Sequence, residues 1–433
     1  MRICYITAGA VGAYCGACNR DATLARALAA LGHDVMLVPL YSPLLVDGPD
    51  PSIPRVFYGG INTWLQQKSA LFRRLPDRLS GFLDSPRLLN AASRLAMSAR
   101  PEELGEMTVS VLSGRHGRQA RELHKLVSFL ASAPQFDIVN LTNTMLSGLA
   151  ADLCEGLGAP VVCTLQGEES FLARLAEPCR SRAEELIRAN AQNVAMFLAP
   201  SEDYADEMTT FLGVGRERIA VAPPGIDVSL YSVCRPRVKE PFRVGFLSRL
   251  EPHKGLDILA EAFCIMENRR RSGAILSVAG ADTGCAHRVI SAAKRTLVGN
   301  GLGGKFEYYG TFDAEGKRGF LARCSVFCLP SRIAERRAIA CLEAMAAGVP
   351  ILAPDSGIMP GLIEKTGGGV VVSSLEPAAW ADALENMRDN PGEADALGMR
   401  AAEGVSRHFS AQTMAAKVLE AYNKVINREI SPL

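Results

Sequence analysis

Two positive side chains of different shape stand five residues apart in Arg249-Leu250-Glu251-Pro252-His253-Lys254, directly after the apolar run Phe242–Ser248. That run reads as a β-strand, and residues 256–270 behind the loop read as a helix. Ligands of open parallel sheets bind just past the carboxyl ends of the strands, where a forked guanidinium and a compact ammonium suit a diphosphate. Two solvated loop charges are the plainer account of the same residues. His253 lies beside Lys254 and can reach the same ligand, or serve only as a loop residue. A second candidate is Pro330-Ser331-Arg332-Ile333-Ala334-Glu335, followed by a helix at about 338–347 and by Gly348-Val349-Pro350. Gly348 suits the residue after a helix, and Pro350 cannot prolong one. The helix start at Ala338 and Ile339 then offers unpaired backbone N–H groups and the positive end of a dipole, a combination that binds anions. Glu335 precedes this helix and Glu343 sits inside it. Carboxylates accept the paired hydrogen bonds that vicinal sugar or ribose hydroxyls offer, although an ordinary helix-surface Glu is the bland reading of Glu343.

Near the N-terminus, a loop between a strand at 2–7 and a helix at about 19–31 carries Gly9, Gly12 and Gly16. It is not a clean dinucleotide fingerprint, but Gly16 can let backbone N–H groups approach a phosphate. Cys15 and Cys18 share a Cys-x2-Cys spacing at a helix start, where a thiol pKa falls, so redox or metal chemistry is one reading. Small residues lining a glycine loop are the other. No second Cys pair or Cys-His cluster with zinc spacing follows, and no metal site is expected. Cys163, Cys264, Cys328 and Cys341 lie in apolar runs, where a free thiol behaves as a small hydrophobe. A disulfide framework is not expected.

The elements that must position these residues alternate strand and helix. Short β-rich runs at 2–7, 34–40, 137–143, 160–167, 194–201 and 219–225 are followed, after a polar stretch, by others at about 242–248, 274–280, 305–310, 326–330, 350–353 and 369–372. Two Rossmann-like halves in one α/β chain are the expected architecture. The boundaries read as residues 1–230 for an N-terminal domain, 235–408 for a C-terminal domain, and 410–433 for a terminal helix able to pack back on the first half. At about 52–135 the alternation is interrupted by a stretch read as several helices, with 12 Lys and Arg against 6 Asp and Glu, a local charge of +6. Its mixed apolar and basic segments, Leu71-Phe72-Arg73-Arg74-Leu75 and Arg115-His116-Gly117-Arg118, suit an anionic acceptor, a membrane surface, or simply a solvated lid. The whole chain of 433 residues has 47 Lys and Arg against 46 Asp and Glu, so its net charge offers no attraction to nucleic acid. No apolar run approaches the roughly 20 residues of a membrane span, and a cytoplasmic protein with at most peripheral contact at the inner membrane face is expected.

Taken together, Arg249-x4-Lys254, Pro330-Ser331 and Glu335-x7-Glu343-Ala344-Met345-Ala346-Ala347-Gly348-Val349-Pro350 resemble the retaining GT-B glycosyltransferases of glycosyltransferase family four. The segment Cys15-Gly16-Ala17-Cys18-Asn19-Arg20-Asp21 and the helical insertion look like a bacterial subgroup of that family. The resemblance implies the GT-B fold, two Rossmann-like domains facing a central cleft, and transfer of a sugar from a nucleoside diphosphate-sugar, UDP-linked in the first instance, with retention and without a metal or other cofactor. It implies Arg249 and Lys254 on the diphosphate, Glu335 and Gln166 at the donor sugar, Glu343 on the ribose, and Gly16 at a phosphate loop. The acceptor, whether saccharide, small molecule or lipid-linked, is not implied. This chain departs from the family in carrying Gln166 where a His is common and Ala338 where a Gly is common. Gly361 and Pro224 also replace common residues. A GT-B protein that binds a nucleotide sugar or a partner without transfer is the alternative these departures suggest, ahead of a Cys15/Cys18 redox or metal protein.

Overall fold

The computed structural model describes residues 1–9, 15–59, 101–231, 241–281 and 284–430. The chain divides into two compact units, Met1–Pro223 with Met414–Leu433, and Pro224–Thr413. In the first unit, β1 (Arg2–Thr7), β2 (Asp34–Pro39), β3 (Ile138–Leu141), β4 (Val161–Thr164), β5 (Met196–Ala199) and β6 (Ile219–Val221) form one parallel sheet in the order β2-β1-β3-β4-β5-β6. Parallel strands need crossover helices, which cover both faces of the sheet and explain why the strands read as continuous apolar runs. Ile3, Cys4, Tyr5 and Ile6 are accordingly all fully buried. Ile6, Leu126, Leu153, Ile187 and Phe197 belong to one core cluster, each side chain contributing on the order of 1.5–3 kcal/mol through removal from water. Tyr5 stands opposite Asn140 across β1 and β3, so the same buried sheet also carries polar groups that must find partners.

In the second unit, β7 (Arg243–Leu247), β8 (Ile275–Ala279), β9 (Phe306–Tyr308), β10 (Val326–Cys328), β11 (Ile351–Pro354) and β12 (Gly369–Val372) form a second parallel sheet, ordered β12-β11-β10-β7-β8-β9. In both sheets the chain changes direction of growth beside the first strand. β2 lies on one side of β1 and β3 to β6 on the other; β8 and β9 lie on one side of β7 and β10 to β12 on the other. Connections leave to opposite faces at such a point and open a crevice at the carboxyl ends of the two strands. The crevices therefore lie between β1 and β3 and between β7 and β10.

The expected alternation is present, with two differences. The first helix spans Gly16–Ala30 rather than starting near residue 19, and Cys15 precedes it without a capping side-chain bond. Lacking a Ser, Thr, Asp or Asn at that position, the sequence carries no start signal. The stretch from residue 52 is not helical at its beginning: Ile53 N donates to Leu37 O at 2.9 Å and Tyr58 N to Leu40 O at 2.8 Å, so the chain runs beside the otherwise open edge of β2. Helices follow at Pro101–Leu112 and Ala120–Ala131. The basic segment 71–75 lies outside the described residues. Arg115 is paired with Asp152 at 2.9 Å and with Glu155, and Arg118 with Glu106 at 3.2 Å, so these cations are partly neutralised by their own unit. Among the described residues no helix is long and apolar enough to cross a membrane.

Candidate active site

The crevice between β7 and β10 is built by two loops clamped together. After β7, a short turn at Pro252–Lys254 leads into the helix Leu256–Arg269 through Gly255, whose φ is +79°. A Cβ at Gly255 would lie 1.9 Å from Pro330 O, so only glycine lets this loop close on the end of β10. From the β10 side, Arg332 holds Asp257 with two bonds of 2.9 and 2.6 Å, donates to Pro252 O at 2.9 Å, and through its backbone N donates to His253 O at 2.8 Å. Glu335 is seated on the loop after β11: Ile358 N donates to Glu335 O at 2.9 Å, and a Cβ at Gly357 would meet the same backbone oxygen at 2.4 Å. These restraints bring Lys254 Nζ to 2.5 Å from Glu335 Oε1, with Lys254 only 7% exposed.

Arg249 and His253 both turn to Glu251. Arg249 Nη1 is 3.5 Å from Glu251 Oε1 and half its side chain remains exposed, while His253 Nε2 is 3.0 Å from Glu251 Oε2. Partial burial, then the neighbouring Lys254 ammonium, lowers the His253 pKa from its ordinary value, with Glu251 acting in the opposite sense. That shift favours the neutral imidazole over the cation.

Ala338 and Ile339 stand where the helix Ile339–Ala346 begins, three and four residues after Glu335. Ala338 has φ 49° and ψ 33° and is the one non-glycine residue with positive φ among those described. A Cβ in this conformation costs roughly 1–2 kcal/mol, part of which a glycine gives back through its looser unfolded state. Ala338→Gly should therefore stabilise the second unit by about 0.5–1 kcal/mol, read in calorimetry as a higher unfolding midpoint; a lower midpoint would contradict the strain.

Glu343 is buried rather than on the helix surface. At 3% exposure, its Oε1 lies 2.6 Å from Nζ of Lys317, itself 6% exposed, on the helix Ala314–Arg323. Sequence reading missed Lys317. The available signal was a lysine on the same helical stripe as the buried Phe320 and Leu321, a place that demands a charge partner.

Gln166 and Gly16 belong to the first unit, at its own crevice. Asp21, fully buried, accepts five hydrogen bonds: Tyr5 Oη at 2.8 Å, Arg20 Nη1 at 3.2 Å and Gln166 Nε2 at 3.4 Å on Oδ1, with Thr7 Oγ1 at 2.8 Å and Thr142 Oγ1 at 2.5 Å on Oδ2. Gln166 Nε2 also donates to Thr142 O and Oγ1, both at 2.8 Å. Its backbone is fixed by Glu168, whose carboxylate accepts from the N–H groups of Thr144 and Gln166, each at 2.9 Å. Burial raises the Glu168 pKa, and those N–H bonds oppose the rise. Beneath this layer, Arg20 Nη1 donates to Tyr5 Oη at 2.8 Å, and Tyr422 Oη to Asn140 Oδ1 at 3.0 Å. Sequence reading quoted Arg20 and Asp21 but gave them no role, because nothing local says that residues from β1, β3 and the β4 loop converge on them.

Gly16 opens the first helix, and a Cβ there would meet no described atom within 4 Å, so internal packing does not demand glycine. Cys18 is not an activated thiol: its hydrogen bond with Cys15, and then burial, raise its pKa, opposite to the lowering a helix start would bring. Among the described residues no group of three or more His, Cys, Asp or Glu is placed to hold a metal.

Comparison with known proteins adds two family matches that together span most of the chain. The family described as "Glycosyl transferases group 1" matches residues 235–404, and that described as "Glycosyl transferase 4-like domain" matches residues 19–225. A D-inositol 3-phosphate glycosyltransferase of Paenarthrobacter aurescens (strain TC1) is 26% identical over 306 residues, covering 66% of this chain and 72% of that protein. One from Arthrobacter sp. (strain FB24) is 26% identical over 349 residues, covering 76% and 78%. Among solved structures, Anabaena HepE in complex with UDP superposes with a TM-score of 0.67 at 16% identity, over 98% of this chain and 100% of that one. Sucrose-phosphate synthase from Thermosynechococcus elongatus gives 0.68 at 16% identity, over 99% of both chains. At these identities the structural likeness speaks for the fold: two Rossmann-like domains of the GT-B type.

Proposed function

This chain belongs to the group 1 and 4-like glycosyl transferases, and on that premise we propose that it moves a sugar from a UDP-sugar to its acceptor with retention of anomeric configuration. The observation that supports this reading most is the Lys254–Glu335 contact of 2.5 Å at the β7–β10 crevice, beside the helix start at Ala338 and Ile339. A lysine ammonium has three protons, so Lys254 can hold Glu335 and a phosphate oxygen together and fix the sugar-side carboxylate against the diphosphate. Arg249, Lys254 and the N–H groups of Ala338 and Ile339 stabilise the charge that develops on the leaving diphosphate. On one face of the sugar the bond from C1 to the diphosphate oxygen breaks as a bond from C1 to the acceptor oxygen forms. The acceptor proton passes to the departing diphosphate, so no separate protein base is required. Glu335 orients donor-sugar hydroxyls, and Glu343, steadied by Lys317, takes the ribose. Gly16 is assigned to the approach of a phosphate, and His253 to support of the Arg249–Lys254 loop through Glu251. Gln166, whose amide nitrogen is held by Thr142 and Asp21, is assigned to the donor sugar. HepE has been solved with UDP-glucose, which makes that donor the first to try.

The test is thermal shift with uridine, UDP and UDP-glucose, followed by product analysis of the anomeric centre. A ligand that binds only the native state raises the midpoint, by the equivalent of about 2.7 kcal/mol at a hundredfold excess over its Kd. UDP should stabilise far more than uridine, and transfer or slow donor hydrolysis should continue in EDTA, because cations and N–H groups meet the leaving-group charge. No stabilisation by any nucleoside diphosphate-sugar would overturn the reading. Loss of activity in EDTA, restored by a divalent ion, would overturn its metal independence.

A further inference from the structure

Arg20 is the one member of the Asp21 cluster whose hydrogen-bonding capacity is left largely unused. Its side chain is 4% exposed, and Nη1 is spent on Tyr5 Oη and Asp21 Oδ1. Among the described residues, Nε and both hydrogens of Nη2 find no acceptor. A guanidinium buried this deeply with three N–H groups unanswered is costly in isolation and needs an account. Asp21 does not supply one: its two oxygens are shared among five donors, and it touches only the Nη1 side of the fork. What remains is the planar Nε–Nη2 edge, whose two parallel N–H bonds match two oxygens of a carboxylate or a phosphate.

Placement points the same way. Asp21 ties Arg20 to Thr7 at the end of β1, to Thr142 just past β3 and to Gln166 past β4, so the guanidinium sits at the carboxyl edge of the first sheet, beside the crevice between β1 and β3. It also lies in the first turns of the helix Gly16–Ala30, near the positive end of that dipole.

We propose that Arg20 is an oxyanion receptor in the first unit, and that the sugar acceptor carries a phosphate or carboxylate group which the Nε–Nη2 edge binds. Only the word acceptor rests on the glycosyltransferase reading; the anion site stands on Arg20 itself. The role given to Asp21 is to hold the guanidinium in register while leaving that edge uncovered.

The experiment uses the full chain with arginine labelled by nitrogen-15 and saturated with UDP, so that the donor diphosphate site is filled. The Arg20 Nε–Hε signal is assigned by its loss in Arg20→Lys and, independently, by its displacement in Tyr5→Phe, which removes the oxygen that Nη1 contacts. Titration with inorganic phosphate and, separately, with acetate should shift this signal saturably. Phosphate alone acting would point to a phosphorylated acceptor, and acetate acting as well would extend the site to carboxylates. Arg20→Lys should bind the effective anion at least tenfold more weakly, because a point charge cannot reproduce the paired bonds. If Arg20→Lys fails to fold, the Tyr5→Phe assignment keeps the titration decisive. An Arg20 signal that neither anion moves overturns the proposal, as does a phosphate affinity equal in Arg20→Lys and the parent. Calorimetry with UDP on the same samples separates the two readings. Absence of UDP binding defeats the donor assignment whatever Arg20 does, and UDP binding with an unresponsive Arg20 defeats only this inference.

Discussion

Asp21→Ala should destabilise the first unit by about 3–5 kcal/mol, the range seen when one partner of a buried ionic network is removed. The substitution strands the buried Arg20 guanidinium and leaves Tyr5, Thr7, Thr142 and the Gln166 amide without their common acceptor. Each orphaned neutral donor carries a desolvation cost of about 1–3 kcal/mol, reduced where a side chain can turn elsewhere. Asp21→Asn keeps the shape but presents an N–H2 group to hydroxyls that were donating, so it should lose less than alanine and still clearly destabilise. Urea denaturation followed by a signal from the first unit measures both. A loss under about 1 kcal/mol for Asp21→Ala would mean that the cluster is not what holds the β1, β3 and β4 ends together.

Lys254→Ala should weaken UDP by about 10- to 150-fold in calorimetry while leaving uridine nearly unaffected. Removing a charge-assisted contact to phosphate costs about 1.5–3 kcal/mol, and every 1.4 kcal/mol is tenfold. Turnover should fall further, because the diphosphate gains charge as it leaves. The 2.5 Å contact adds a second effect: without the ammonium, Glu335 faces the phosphates as an unscreened carboxylate. Adding Glu335→Gln to Lys254→Ala should therefore restore part of the UDP affinity, although Glu335→Gln alone removes a sugar contact. Equal UDP affinity in Lys254→Ala and the parent would take this lysine out of the site. Additive losses in the double variant would deny the coupling.

The sequence by itself determined the alternation of strands and helices, because a parallel strand buried on both faces must be a short apolar run and a crossover helix must carry its apolar stripe, both local patterns. It also marked the ends of β7 and β10 as the candidate place for an anion, since Arg249, Lys254, Glu335 and a helix start each come in the loop that follows a strand. What it could not contain were the partnerships. Gln166 reaches Asp21 across 145 positions and Lys254 reaches Glu335 across 81, and only the strand order brings those loops side by side. Lys317 could be read as a misplaced charge but not as the partner of Glu343, which depends on how two helices pack. Ala338 carried no mark of its left-handed backbone, because that conformation is imposed by the loop that seats Glu335 and then starts a helix. The run beside β2 was hidden for a related reason: residues 52–58 have no alternation of their own and take their form from bonds to a strand edge. Periodicity records what a segment buries, whereas the candidate site lies where loops from separate strands meet, and that meeting is decided by topology alone.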